Sequence, residues 1–345
     1  MDQHRYTHSL DRPCRECAVE RARELKLDRI LVPLDGTPAS EFALPYAAMV
    51  SRWLRAELTL FHVVHPGPPF HFYRPGLVRY PDALHDRANL LASAYLGEIV
   101  TRLTAKGLRA RWGVATGDAA QLIPSRASDG GYGLIVMAVR PRAPSRRRFS
   151  PGVLERMWRH VATPTLFLHE RRVAGDNSDP PAPGEFVVPM GGDPSAGEVT
   201  PYAAALAGAS GARVTLLASL VTKRRQQSEL RAGDGGSGTQ SPLARMQEMA
   251  AYLREDRITV QTEMRAGIPA RAIVSRQAEA PGSWVVMTSF MPAGLSRTVF
   301  GSTADGVLRT ARGPVLVVPV ASVARKRAEA LRLTMQDAPL PGAGP

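Results

Sequence analysis

Two short clusters in this 345-residue chain have the residue types and spacing for ligand chemistry. In the first, Val32-Pro33-Leu34-Asp35-Gly36 sets a carboxylate just past an apolar run and beside a glycine. A carboxylate so placed can accept a hydrogen bond from a hydroxyl or amino group of a bound molecule. In the second, Gly301-Ser302-Thr303 opens a helical stretch through Leu308 that stops at Gly313-Pro314. The unpaired amides and the dipole of a helix start suit an anion such as phosphate. A third segment, Arg140 to Arg148, holds five arginines that could grip phosphates through their side chains, though a solvated basic loop is the favoured reading. His4, His8, Cys14 and Cys17 have the residue types of a zinc site. Their spacing matches no defined metal motif, so an ordinary N-terminal extension with two reduced thiols is preferred.

The elements around these clusters alternate between strand and helix. Strand-like runs cover 29–34, 58–64, 109–115, 134–138 and 164–168. Helical stretches lie between them, from about Ser40 to Leu54, from an Asp82 cap to Ala105, and from Gly117-Asp118 to Ser128. Such alternation implies parallel, right-handed β-α-β units in a doubly wound sheet. The pattern then restarts. Pro33 and Pro45-Tyr46-Ala47-Ala48 return 156 residues later as Pro189 and Pro201-Tyr202-Ala203-Ala204. Gly117, Met137 and Pro164 return 150 residues later as Gly267, Met287 and Pro314. Two constant offsets that change once indicate a duplicated domain with one net deletion. The expected organisation is an extension (1–27), a first domain (28–170), a linker (171–184), a second domain (185–320) and a basic tail (321–345). Residues 65–81 read as a Pro- and aromatic-rich loop, and 222–242 as a low-complexity loop.

Composition is that of a soluble globular protein, 44% hydrophobic and 22% charged. No apolar run approaches the ~18–20 residues that span a bilayer, and the first residues lack a signal-peptide core. Cytoplasmic location without membrane contact is therefore the expectation. A net charge of +13 favours polyanions, but no long basic run interleaves with aromatics, so nucleic acid is not an expected partner.

Both halves resemble universal stress protein domains, from Arg29 to His169 and from Glu185 to Pro319. The segment Met287-x6-Gly294-Leu-Ser-Arg-x3-Gly301-Ser302, then a helix, then Pro314-Val-Leu-Val-Val318, carries the resemblance most clearly. It implies two tandem five-stranded α/β sheets, Rossmann-like or flavodoxin-like, of the adenine nucleotide alpha hydrolase-like kind. It also implies ATP or another adenine nucleotide as cofactor in the members that bind one. The positions implied to line it are Pro33, Asp35, Gly36, Val63, Met137 and Gly152 in the first copy. In the second they are Pro189, Met287, Gly301, Ser302 and Thr303. Family dimers commonly pair their fifth strands, so strands near Leu166 and Leu316 are expected to pair within this chain as a pseudo-dimer, with further homodimerisation open.

Both copies depart from the family loop G-x2-G-x9-G-[ST]. Aligned on Met137, the first copy has Ala138, Pro141 and Pro151 at the glycines and Gly152 at the last position. The second keeps Gly301 and Ser302 but has Thr288 and Met291 at the first two glycines, and Gly191 where the first copy has Asp35. Each copy thus holds half a site. No P-loop, G-x-S-x-G or HExxH motif is present. The reading is a non-catalytic stress-response or signalling protein with degenerate nucleotide sites. Its alternatives are a weakly hydrolysing ATP switch and a polyanion-binding module.

Overall fold

In the computed structural model of the chain, the described residues are 15–65, 81–139, 153–158, 160–169, 180–191, 194–220, 241–289 and 302–320. The arginine segment 140–148, both predicted loops, Gly152, Gly301 and the tail lie wholly or mainly outside them.

The elements run α1 (Arg15–Glu24), β1 (Arg29–Pro33), α2 (Pro38–Glu41), α3 (Ala43–Leu54), β2 (Glu57–Val64), α4 (Pro81–Ala105), β3 (Ala110–Thr116), α5 (Ala119–Asp129), β4 (Leu134–Val139), α6 (Val153–Trp158) and β5 (Thr165–His169). The second copy follows with β6 (Glu185–Met190), a 3-10 turn (Pro194–Val199), α7 (Thr200–Ser210), β7 (Arg213–Leu220), α8 (Pro242–Glu255), β8 (Val260–Ala266), α9 (Pro269–Glu279), β9 (Trp284–Ser289), α10 (Ser302–Thr310) and β10 (Val315–Pro319). The predicted helix from Ser40 to Leu54 is two pieces that meet at Phe42.

The ten strands form one sheet in the order β3-β2-β1-β4-β5-β10-β9-β6-β7-β8. The two expected five-stranded halves are both present, and they join edge to edge along β5 and β10, as the expected pairing near Leu166 and Leu316 requires. Within each half the strands are parallel, and at the seam they are antiparallel, with Leu316 opposite Leu166. Parallel strands buried on both faces require apolar residues at every position, and β1, β4, β9 and β10 supply them with Ile30 to Val32, Leu134 to Val136, Trp284 to Met287 and Val315 to Val318.

One face is covered by α1, α3, α4, α7 and α8, and the other by α5, α6, α9 and α10. The seam has its own core. Trp284 of the second copy is buried, with its ring 5.7 Å from Trp53 and 6.1 Å from Tyr46 of the first copy's α3, and 5.9 Å from Phe186. Helix α7 is alanine-rich and buried almost all round, which a helix tolerates only when covered on its outer side too. That cover is α1, which buries Ala18, Val19 and Ala22.

Candidate functional site

In each half, the chain goes from the first strand to one side of the sheet and later crosses to the other. This opens a crevice at the C-terminal ends of the first and fourth strands, where ligands of such folds bind. The first crevice lies between β1 and β4, which pair through Ile30 with Leu134 and Leu31 with Ile135. The second lies between β6 and β9, paired through Phe186 with Trp284 and Val187 with Val285.

At the first crevice, Asp35 leaves β1 and is exposed. Gly36 follows with φ +77°, a left-handed conformation that glycine adopts without strain. The Asp35 Oδ1 accepts from the Thr37 backbone N–H at 3.0 Å and from the Thr37 hydroxyl. Thr37 Oγ1 in turn caps α2 by accepting from the Ser40 N–H at 3.3 Å. One carboxylate oxygen is thereby built into the turn that starts α2.

His62 of β2 lies under this turn, its Cε1 4.0 Å from where a Cβ on Gly36 would be. Its Nδ1 is buried without a hydrogen-bond partner. Burial pushes the imidazolium below its usual range, partly opposed by the Leu34 backbone and the Asp35 charge. Tyr95 of α4 meets His62 edge-on, with centroids 6.5 Å apart, and donates to Glu41 Oε1 at 3.0 Å. Burial first, then the Glu41 carboxylate, raises the Tyr95 phenol far above its ordinary value. Pro33 and Val63 are half-buried at the ends of β1 and β2, and Met137 is half-buried on β4. The structure therefore brings Pro33, Asp35, Gly36, Val63 and Met137 to one edge, while Gly152 lies outside the described residues.

At the second crevice, Gly191 stands where Asp35 stands in the first, so that position carries no side chain. Arg245 of α8 reaches the end of β6 there. It is 7% exposed, and its Nη1 donates to the Gly191 carbonyl at 3.3 Å. Ser289 ends β9 fully buried, with an Oγ that has no hydrogen-bond partner. Pro189 is half-buried, Met287 is buried, and Ser302 opens α10 exposed with Thr303 half-buried behind it. Asp305, also in the first turn of α10, pairs with Arg309 at 2.8 Å.

Arg245, Ser289 and Tyr95 were missed by sequence reasoning. The signal was available for Arg245, since the 150-residue offset sets it on Tyr95, just as it sets the buried Met246 on Leu96 and Met249 on Ile99. Among the described residues, no group of three or more His, Cys, Asp or Glu could hold a metal. His4, His8 and Cys14 lie outside them. Cys17 is disulfide-bonded, which corrects the expectation of two reduced thiols. No helix of the described residues is long and apolar enough to cross a membrane.

Comparison with known proteins bears on the same two halves. The model of the universal stress protein family matches residues 26–169 and again 184–319. Among solved structures, a universal stress protein from Archaeoglobus fulgidus DSM 4304 aligns over 85% of this chain and 99% of its own, with TM-score 0.63 and 18% identity. A protein of unknown function from Pseudomonas aeruginosa PAO1 aligns over 90% of this chain and 99% of its own, with TM-score 0.58 and 17% identity. At these identities the likeness concerns the fold. A comparison with the curated proteins finds no match.

Proposed function

The chain belongs to the universal stress protein family, whose domain it carries twice, and on that premise we propose that it is a non-catalytic stress-response or signalling protein with two incomplete adenine-nucleotide sites. The observation that carries this reading is the opposite polarity of the two crevices. The first offers a carboxylate, Asp35, held by Thr37. The second has no side chain at that position and a guanidinium, Arg245, directed at the Gly191 carbonyl. Among the described residues, Asp35 of the first copy is the strand-end carboxylate that can accept from a nucleoside hydroxyl or amino group, and Ser302 of the second opens a helix suited to phosphate. Neither crevice joins both halves of a nucleotide's requirements.

The reading is tested on the full chain. The protein is purified, denatured, and the released small molecules are weighed by mass spectrometry, with calorimetric titration of ATP, ADP and AMP alongside. The expected result is no stoichiometric nucleotide and weak or no heat. Retained nucleotide that disappears in Asp35→Ala or Ser302→Ala would instead establish an intact site and the nucleotide-switch alternative.

A further inference from the structure

We infer that Cys14 and Cys17 are a redox-active pair that undergoes exchange with thiols, a dithiol when reduced and an internal disulfide when oxidised. The inference is independent of the two crevices and stands on the helix that precedes the first copy.

The chain has two cysteines and Cys17 is disulfide-bonded, so Cys14 is its partner. They read Cys14-Arg15-Glu16-Cys17, with two residues between them. A bridge over so short a span does little for stability, because its constraint on the unfolded chain grows with the length of the loop it closes. Nor does it join distant parts of the fold. Both cysteines precede β1, and α1 is fastened without them. Its Ala18, Val19 and Ala22 are buried, and its Arg21 pairs with Asp256 and lies over the Tyr252 ring. A bridge that neither closes a long loop nor ties two elements together is poorly explained as a staple. The C-x-x-C spacing suits thiol–disulfide exchange instead, because a second sulfur stands ready to resolve any mixed disulfide formed on the first.

Position supplies the other half of the argument. Cys17 is exposed and lies in the first turn of α1. Exposure admits an attacking thiolate, and the buried face of the helix starts only at Ala18, so a reagent reaches Cys17 without lifting α1 from α7. The unpaired amides and the dipole of a first turn favour thiolate over thiol. Glu16, the acidic residue of that turn, is exposed, and solvent screens its opposing charge.

The exchange balances with a simple thiol as co-reactant. A thiolate RS⁻ attacks the Cys17 sulfur, the bond between Cys17 and Cys14 breaks, and Cys14 leaves as a thiolate. A second RS⁻ attacks the R sulfur of the mixed disulfide, forming RSSR and releasing the Cys17 thiolate. The two protein thiolates take up the two protons that the thiols gave. Two electrons pass to the protein, and the reverse sequence from RSSR restores the bridge.

The test equilibrates the full-length protein, with a chelator present, in mixtures of reduced and oxidised glutathione. The samples are quenched with an alkylating reagent and the labels counted by mass spectrometry. Two labels are expected to appear together as the reduced fraction rises, and to disappear on return, with the circular dichroism spectrum unchanged. Cys14→Ser lacks the resolving thiol and is expected to accumulate one glutathione per chain in the oxidised mixtures, whereas the wild type accumulates almost none. A native protein that takes no label even in fully reduced glutathione overturns the inference, as does a wild type that retains glutathione as fully as Cys14→Ser. A third contrary result comes from the reduced protein without chelator: uptake of one Zn²⁺ per chain, followed by resistance to oxidised glutathione, would make the pair part of a metal site. None of these outcomes touches the proposed function, which is decided by nucleotide binding.

Discussion

Arg21 of the N-terminal helix and Asp256 of the second copy form a two-point ion pair across 235 residues of sequence, Nη1 to Oδ2 and Nη2 to Oδ1, the latter at 3.1 Å. The Arg21 guanidinium also lies over the Tyr252 ring, 5.4 Å from its centroid. The helix that precedes the first copy is thus fastened to the second, and its apolar stripe covers α7. Because both partners are partly exposed, a double-mutant cycle of Arg21→Ala and Asp256→Ala is expected to yield a coupling of about 1 kcal/mol, measured by urea denaturation.

The same contact contains a steric test. A Cβ on Gly208 would lie 2.8 Å from the Ala18 Cβ, closer than two carbons can sit. Gly208→Ala gains helix propensity but must displace α1. The net expectation is a loss of about 1–3 kcal/mol together with faster proteolysis near Arg15–Glu24. Unchanged stability and unchanged protease sensitivity would mean that α1 does not pack on α7 in solution.

The alternation of apolar runs with helical stretches made the α/β class and both copies legible, because strand burial imposes uninterrupted runs such as Val315 to Val318 and the repeat offsets are fixed by the chain. Pairing of Leu166 with Leu316 was anticipated from the family resemblance, not from any local signal. Other features depend on residues distant in sequence. Nothing near Arg21 announces Asp256, and nothing in the helical pattern of α8 separates Arg245 from the solvated arginines around it. Asp35 was legible as a strand-end acid, but its hold on Thr37 comes from the turn that Gly36 permits. The site was therefore readable at the level of which residues end strands, while what reaches them from α4 and α8 was open to reading only through the repeat offset that aligns Arg245 with Tyr95.

The fused sheet should unfold as one unit. Leu316 is opposite Leu166 at the seam, and both are buried. Leu316→Asp puts a carboxylate into this dry interface, where ionised groups are costly. The expected outcome is a loss of several kcal/mol and a change from a single cooperative urea transition to two. A single transition with the wild-type midpoint would show that the seam contributes little.

Glu185 is 2% exposed at the start of β6. Its Oε1 accepts from Arg276 Nη2 at 2.6 Å, from the Thr215 hydroxyl, and from Arg213 Nε at 3.4 Å. Removing a partner from a buried ion pair costs more than removing the pair. Arg276→Met is expected to destabilise by about 3 kcal/mol, and adding Glu185→Leu to restore much of that. If the double variant is the less stable of the two, the pair is held by more than its charges.

His62 provides a pH signature. In the unfolded chain its imidazole takes up a proton near the ordinary value of 6.5, whereas burial lowers that value in the folded protein. Between the two values the unfolded state binds more protons, so stability falls as pH drops through 6.5 and becomes flat again below the folded value. Above that window the histidine is neutral in both states and has no effect on the slope. His62→Gln removes the titrating group while keeping a polar side chain beneath Gly36. Its expected effect is a shallower stability profile as pH falls below 6.5, read from urea midpoints at closely spaced pH. The Asp35 charge opposes the shift, so Asp35→Asn is expected to lower the folded value further and steepen the same limb. Parallel profiles for wild type and His62→Gln would place the imidazole in water rather than under the turn, and with it would go the geometry assigned to the first crevice.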